Sequence, residues 1–122
     1  MKTIKFRAWD SNKKKMYEWH QLVAMDIKGH LTLSNLLNGF VKHIKPLEFI
    51  GLKDKNRKEI YESDILIDNV GRVWEVRYNE IGAVFTFHFR GGDTWQTFLR
   101  FNIAQKPLEI IGNIHQDKHL IS

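Results

Sequence analysis

The sequence contains no cysteine, which excludes both a disulfide framework and a zinc site built on thiolates. It also has no apolar run near the roughly 18 residues that a membrane-spanning helix needs. Its N-terminal stretch, MKTIKFRAWD, carries charges where a secretory signal peptide would have its apolar segment. We therefore expect a soluble intracellular protein that makes no contact with a membrane.

Catalytic sequence motifs are absent as well. No serine lies in a G-x-S-x-G elbow, and the chain has neither a G-x-x-x-x-G-K phosphate loop nor an H-E-x-x-H pair. The remaining enzyme hypothesis is a metal-dependent nuclease, in which Asp64 or Asp68 would hold Mg²⁺ near Glu75-Val76-Arg77. The alternation along that segment favours ordinary solvent-facing side chains instead. We therefore predict no catalytic residue and no cofactor.

The histidines offer two further candidates. His115, Asp117 and His119 form H-x-D-x-H, which on a helix would place both imidazoles on one face that could bind a transition metal. Because chain ends are commonly frayed, we predict no metal site there. His88 lies on the polar side of a phenylalanine-rich strand, where we expect a cross-strand neighbour rather than a catalytic base.

The charge of the chain is unevenly distributed. Its 122 residues, 43% of them hydrophobic, fit one domain with a real core, and the net charge is +5. Residues 1–58 hold 13 Lys or Arg against 5 Asp or Glu, whereas residues 59–122 hold 6 against 9. A basic half indicates a polyanionic partner such as nucleic acid or an acidic protein surface. The alternative is a set of lysine-rich turns that only keep the protein in solution.

The hydrophobic period is two rather than 3.6, which indicates β-strands with one face on a core. The apolar members of three such segments are Ile4, Phe6 and Ala8; Trp74, Val76 and Tyr78; and Ala83, Phe85, Phe87 and Phe89. The alternating neighbours Lys5, Arg7 and Trp9 are predicted to face water. Short strands separated by turns predict a small barrel or sandwich. A helical turn is predicted around residues 35–44.

A seven-residue segment occurs twice, as KPLEFIG at residues 45–51 and KPLEIIG at residues 106–112. Each copy is predicted to be a strand in which the proline donates no ladder hydrogen bond and the final glycine turns the chain. Since the copies match so closely, we expect similar environments for them, as neighbours in one sheet.

A second repeat matches DSNKKKMYE, residues 10–18, with DKNRKEIYE, residues 54–62. In each copy the aspartate can cap a turn and the asparagine tolerates a bent backbone. The basic residues would then occupy the solvated tip, and the apolar-tyrosine pair would begin a return strand. The repeat therefore predicts two hairpins with cationic tips.

Three segments, IKFRAWDSNKKKMYE, IGLKDKNRKEIYESDIL and EIIGNIHQ, resemble in this order the YopX family of small phage and prophage proteins. The resemblance implies a mostly β fold: a small SH3-like barrel with an N-terminal β-hairpin extension. It implies one domain over residues 1–122, with the barrel mainly within residues 45–116. It also implies a phage or prophage gene expressed in the cytoplasm of a bacterial host, but no particular biochemical activity.

The chain departs from the family pattern at two positions. Arg57 and Ser63 stand where the family usually has glycine. We expect Arg57 to demand a turn without a positive φ at that position, and the serine to be a mild change.

The binding candidates are exposed cations and aromatic residues in turns. If the two hairpin tips lie side by side, their cations form one positive surface able to neutralise several phosphates. Trp9, Tyr17 and Trp19 border the first tip and could stack on the bases of a single strand, although packing in the core is the alternative. The loop RGGDTW, residues 90–95, ends in an aromatic residue that could anchor a protein partner. The predicted binding residues are Lys13, Lys14, Lys15, Trp19, Lys55, Arg57, Lys58, Arg90 and Trp95.

These observations predict a non-enzymatic binding protein, encoded by a phage or prophage, that engages a host or phage macromolecule. Inhibition of a host defence system is one specific version. A host or phage protein is the leading partner, nucleic acid is the alternative, and nuclease activity ranks last. Exposed sheet edges also allow self-association into homo-oligomers.

Overall fold

The protein is mostly β in its computed structural model, which describes residues 4–29, 32–37, 41–80, 84–89, 95–97 and 107–121. The strands are β1 (Phe6–Asp10), β2 (Lys15–Tyr17), β3 (Ile44–Lys53), β4 (Glu59–Tyr61), β5 (Asp64–Ile67), β6 (Val73–Asn79), β7 (Val84–Phe89), β8 (Trp95–Thr97) and β9 (Glu109–Asn113). The helices are α1 (Trp19–Ile27), α2 (Leu33–Leu37) and a 3₁₀ turn at Lys118–Leu120.

The strands form two antiparallel sheets, with strand orders β2-β1-β3-β4 and β8-β7-β6-β5-β9, and one sheet is curled into a half-barrel. The predicted mostly β fold with an N-terminal hairpin is confirmed. The chain divides into two compact units, Met1–Phe49 and Ile50–Ser122, and β3 runs across the boundary. The single domain, the SH3-like barrel and its placement within residues 45–116 stay predictions.

In the first unit, β1 lies between β2 and β3, with Ala8 opposite both Tyr17 and Pro46. One face of these strands packs against α1 and α2 through a buried apolar cluster of Ala8, Tyr17, Leu22, Leu36 and Ile44. The other face is buried too, since Arg7 and Trp9 are each only 9% exposed. The prediction that these two side chains face water is therefore wrong. Ile4, predicted to point to a core, is 68% exposed.

Glu18 is the N-cap of helix α1, and its backbone N–H donates to the Gln21 side-chain oxygen at 2.9 Å. This contact satisfies one of the amides that a helix N-terminus leaves without an intrahelical partner. The helix buries Leu22 and ends before Gly29, which has a φ of 75°. The helical turn predicted around residues 35–44 lies earlier, because α2 ends at Leu37 and Ile44 already begins β3.

Pro46 sits in β3 where the ladder to β1 needs no donor. The Phe49 N–H donates to the Lys5 carbonyl at 2.9 Å, so amides at alternate positions, including Leu47, point toward β1. The Pro46 nitrogen therefore points away from β1. This confirms that proline occupies a position from which no ladder hydrogen bond is donated.

In the second unit, β5 pairs with both β6 and β9, and β6 pairs with β7. The core face holds a buried cluster of Ile50, Ile60, Leu66, Trp74, Val76, Phe85, Phe87 and Leu108. The alternation in β6 and β7 thus predicted the core positions of Trp74, Val76, Phe85 and Phe87. Tyr78 is instead 42% exposed and packs edge to face on Phe85 at 5.3 Å between ring centroids. Ala83 lies outside the described residues, and only the backbone of Phe89 is described.

Both copies of the KPLE segment contain a strand, although residue 106 lies outside the described residues. The first copy lies within β3 and the second leads into β9. The prediction that they are neighbours in one sheet is wrong, because β9 pairs with β5 in the five-stranded sheet. Two nearly identical segments do not by themselves specify their partner strands, which depend on the long-range pairing of the sheet.

Neither α1 nor any other helix in the described part of the chain has the length and apolar composition that a membrane crossing requires.

Candidate polyanion-binding surfaces

The turn between β1 and β2 is shaped by Asp10. Its Oδ1 accepts hydrogen bonds from the Asn12 and Lys13 amides at 2.9 and 3.0 Å. The carboxylate therefore points inward, and the residue is only 2% exposed. Lys13, Lys14 and Lys15 are exposed, which confirms the predicted hairpin with a cationic tip.

A second segment joins this tip from about thirty residues away in sequence. The Ser11 amide and hydroxyl both donate to the His43 carbonyl, at 2.9 and 3.1 Å. Lys42, His43 and Lys45 are exposed beside β1, with Lys45 opposite Trp9. We call Lys13, Lys14, Lys15, Lys42 and Lys45 the lysine cluster. Sequence reasoning missed the last two, because only the β1–β3 register brings them to the tip.

The lysine cluster is strongly cationic. Residues 10–15 and 41–45 together contain the five lysines and only one carboxylate, that of Asp10. The Lys13 amide lowers the pKa of this carboxyl; burial acts in the opposite direction, while the Asn12 amide and the charges of His43 and Lys13 lower it further. Asp10 is thus ionised at neutral pH, but its charge is turned toward backbone amides rather than toward a ligand.

The aromatic residues around this tip do not support base stacking. Trp9 and Tyr17 are 9% and 8% exposed, so their ring faces are unavailable to bases and the stacking hypothesis is wrong for both. Lys15 instead lies over the Tyr17 ring, with Nζ 5.0 Å from the centroid. Trp19 is the first residue of α1 and is half-buried. The tip therefore exposes positive charge but not the rings of Trp9 and Tyr17, and stacking on Trp19 stays a prediction.

The second hairpin tip, residues 54–58, is a five-residue turn between β3 and β4. Asp54 Oδ1 accepts the Asn56 and Lys58 amides at 2.9 Å each, and the Arg57 amide donates to the Asp54 carbonyl. Arg57 has a φ of 67°. The prediction that arginine excludes a positive φ here is wrong, because the loop closed by the Asp54 hydrogen bonds places arginine in the left-handed region.

A third turn, residues 68–72, reproduces this geometry. Asp68 Oδ1 accepts the Val70 and Arg72 amides, and the Gly71 amide donates to the Asp68 carbonyl. Gly71, with a φ of 86°, occupies the position that Arg57 holds in the 54–58 turn. Glycine adopts this conformation without a Cβ clash, whereas a residue with a side chain loses roughly 1 kcal/mol.

The 54–58 turn is fixed to the sheet and exposes its cations. The Lys55 amide donates to the Leu108 carbonyl at 2.8 Å, and Asp54 Oδ2 accepts the Ile110 amide of β9 at 3.0 Å. Lys55 also pairs with Glu109 at 3.1 Å. Arg57 and Lys58 are exposed. The turn therefore presents positive charge on a rigid base.

The predicted nuclease ligands serve the fold instead. Asp64 is 1% exposed and its Oδ2 accepts the Tyr61 amide at 2.8 Å. Besides the two amides of its turn, Asp68 accepts the Arg72 Nε and Trp74 Nε1 protons, at 2.8 and 3.1 Å. Burial alone would raise the pKa of Asp68, but the Trp74 and Arg72 hydrogen bonds, with the Val70 amide, bring it below its usual value. Neither carboxylate is oriented toward solvent where Mg²⁺ could bind.

The polar face of β6 and β7 forms a small network. Glu75 lies opposite His88 in the register and pairs with Arg77 at 3.1 Å. The Thr86 hydroxyl is 2.8 Å from His88 Nε2. Thr86 lies on this polar face of the sheet, yet its side chain is fully buried. Burial, with the charge of Arg77, lowers the pKa of His88, against a raising effect of Glu75. His88 is therefore a cross-strand neighbour, as predicted.

The histidine-containing C-terminal segment is organised by Asn113 and Asp117. Asn113 Oδ1 accepts the His115 and Gln116 amides, and Asp117 Oδ2 accepts the Asn113 amide at 3.1 Å. Across the described ranges, no three His, Asp or Glu side chains come together as metal ligands.

Two predicted residues come from the 90–95 loop. Arg90 lies outside the described residues. Trp95 begins β8, opposite His88, and only its backbone is described. Of the other predicted residues, Lys13, Lys14, Lys15 and Trp19 lie in the first unit, and Lys55, Arg57 and Lys58 lie in the second. The single surface predicted from both tips stays a prediction.

Comparison with known proteins gives one family and a structural neighbour. The model of the YopX protein family matches residues 5–122. The crystal structure of protein EF1440 from Enterococcus faecalis is similar over 100% of both chains, with a TM-score of 0.64 and 24% sequence identity. A likeness at this identity concerns the fold alone. The comparison with curated proteins gives no match.

Proposed function

Because this chain belongs to the YopX family, we propose that it is a non-enzymatic binding protein of phage or prophage origin that docks the lysine cluster on an acidic surface of a host or phage macromolecule. A host or phage protein is the leading partner, and inhibition of a host defence system is one role that such binding would serve.

The observation that carries this proposal is the concentration of exposed lysines around one inward-facing carboxylate. Two backbone amides bind Asp10 Oδ1, so the carboxylate adds little repulsion toward an anion that approaches the surface. Clustered positive charge attracts acidic partners and increases their association rate. The hydrogen bonds from Ser11 to His43 hold both lysine-bearing segments in place, which lowers the ordering cost of binding.

Nucleic acid is the second candidate partner, favoured by the composition of the cluster. Lysine is depleted from the cores of protein–protein interfaces, whereas protein–DNA interfaces are much more positively charged. With Trp9 and Tyr17 buried, such binding would involve phosphates rather than bases.

The proposal is tested by capture from host lysate with a double variant, Lys13→Gln/Lys42→Gln. This variant removes one charge from each segment of the cluster. The matched control, Lys28→Gln/Lys118→Gln, removes two exposed charges outside the cluster. We expect the wild type and the control to recover the same macromolecule, and the double variant to recover far less of it.

A nuclease-treated arm of the experiment separates the partners. A protein partner persists after treatment, whereas a nucleic acid, or a protein bridged by one, is lost. Equal recovery by the wild type and the Lys13→Gln/Lys42→Gln variant would show that the lysine cluster is not the binding surface.

A further inference from the structure

The second unit has its own cationic turn, in which strain and charge coincide. Within residues 53–58, the sequence KDKNRK places four cations around a single carboxylate, that of Asp54. This carboxylate accepts three backbone amides, those of Asn56, Lys58 and Ile110, and the residue is 6% exposed. The side chains of Lys53, Lys55, Asn56, Arg57 and Lys58 are all exposed.

The 68–72 turn shows what this geometry requires at its fourth position. Both turns have the same amide-to-carboxylate pattern, and both close with the fourth amide donating to the aspartate carbonyl. Gly71 fills the left-handed position in one turn and Arg57 fills it in the other. Retaining a strained cation where glycine fits suggests that the charge has a role of its own.

The same coincidence occurs in the first unit. In the described part of the chain, the non-glycine residues with positive φ are Lys14, Arg57 and Ser63. Two of the three are cations at hairpin tips. At Lys14 and Arg57 the strain thus coincides with positive charge presented to solvent.

The chemistry of the turn indicates the class of ligand. Its exposed side chains are cationic or amide groups, and the aromatic residue nearest to it in sequence, Tyr61, is 5% exposed. A surface with neither an apolar anchor nor an accessible ring does not resemble a protein-binding hot spot or a base-stacking platform. Arginine and lysine without such groups suit phosphates, to which the arginine guanidinium can bind through two parallel hydrogen bonds.

We propose that the 54–58 turn is a phosphate contact for a nucleic-acid backbone, with Arg57 as its principal ligand and Lys58 beside it. The proposal rests on the proposed function for the acidic nature of the partner, but different residues carry it. Binding is independent of base sequence. The ties to Leu108 and Ile110 fix the backbone of the turn, so binding orders the two side chains but not the loop that carries them.

The decisive variant is Arg57→Gly, because it removes the charge and relieves the strain at once. Binding of a labelled, mixed-sequence DNA duplex is measured at several salt concentrations, together with the melting temperature of each protein. We expect Arg57→Gly to melt higher than the wild type. We also expect it to bind roughly fivefold to tenfold more weakly near 0.1 M salt, with a salt slope smaller by about 0.9.

The matched control is Lys118→Gln, which lowers the net charge equally at an exposed position outside the turn. It should leave the salt slope unchanged. Lys58→Gln, at a position where φ is not positive, should weaken binding without raising the melting temperature.

This inference would be overturned by a wild type that does not bind DNA, by equal affinity and slope for wild type and Arg57→Gly, or by a lower melting temperature for Arg57→Gly. Binding of polyglutamate but not DNA would also overturn it, while leaving the proposed function in place. Loss of lysate capture in the Lys13→Gln/Lys42→Gln variant tests the proposed function separately, because that variant leaves the 54–58 turn unchanged.

Discussion

At the residue scale, Ser63 has a conformation that is unfavourable for serine. It has a φ of 79° and is 3% exposed, so the expectation that serine is a mild change at this position is wrong. Its amide donates to the Val76 carbonyl and its carbonyl accepts the Ile114 amide. These contacts hold the residue in the left-handed region, where a Cβ is strained.

We expect Ser63→Gly to raise the free energy of unfolding by about 0.5–1 kcal/mol, measured by chemical denaturation. Ser63→Ala is the control, because it removes the hydroxyl but keeps the Cβ. It should give no such gain. If glycine were no more stable than serine, the backbone strain would not be the dominant effect at this position.

Asp68 stabilises its turn through both carboxylate oxygens. We expect Asp68→Asn to lower the free energy of unfolding by about 2–4 kcal/mol, because the amide NH₂ would face the Arg72 and Trp74 donors. Thermal or chemical unfolding measures the loss. A variant with wild-type stability would contradict the assigned hydrogen bonds and reopen a role for Asp68 outside the fold.

The pH dependence of stability gives a second measurement on the same variant. The pKa of Asp68 is lower in the folded protein than its ordinary value of 3.8, so the unfolded chain binds a proton more readily. Its contribution to stability is therefore present above that pH and is lost as pH falls through the folded pKa. We expect a shallower loss of stability in acid for Asp68→Asn than for the wild type.

At the element scale, the end of β9 requires a glycine for reasons of space. A Cβ built on Gly112 would lie 2.5 Å from Asp117 Oδ2, 2.7 Å from Cγ and 2.8 Å from Cβ. The same Asp117 oxygen accepts the Asn113 amide and so closes the turn after β9. The strand and the turn are therefore coupled through one side chain.

This coupling can be measured with a double-mutant cycle. We expect Gly112→Ala to destabilise the protein by about 1–3 kcal/mol through overpacking. Asp117→Gly removes all three atoms that the new methyl group would meet. The double variant should thus be more stable than the sum of the single effects predicts. Strict additivity would mean that the methyl group is accommodated without Asp117.

The sequence predicted the positions of the strands better than it predicted which strands pair with each other. Alternation in β6 and β7 predicted the core positions of Trp74 and Phe87, because burial on one face leaves a period of two in the sequence. It failed in β1, where Arg7 is buried on the face expected to meet water. Because β1 is buried on both faces, its sequence has no alternation that distinguishes a polar face from an apolar one.

Helix α1 was not predicted, although its start has a sequence signal. Glu18 and Gln21 have the spacing of a capping box, but glutamate is not among the usual N-cap residues. For the candidate site, the D-x-N pattern predicted both cationic tips. It could not predict Lys42 and Lys45 beside the first tip, because that requires the pairing of β1 with β3.

At the scale of the whole molecule, turns expose cationic side chains, and the aspartate carboxylates of these turns accept backbone hydrogen bonds in their interior. Asp10, Asp54 and Asp68 each accept backbone amides within their own turns. The first two turns leave lysine or arginine side chains exposed around the inward carboxylate. The charge asymmetry of the sequence thus has a structural counterpart in each of the two units.

The most direct test of this account is the salt dependence of partner recovery by the wild-type protein. Captured macromolecule is measured while salt is raised from about 0.05 M to about 0.5 M, a range over which exposed charge interactions become strongly screened. The account predicts a steep fall in recovery, and a shallower fall for whatever the Lys13→Gln/Lys42→Gln variant still captures. Recovery that stays constant across this range, identical for the two proteins, would contradict it.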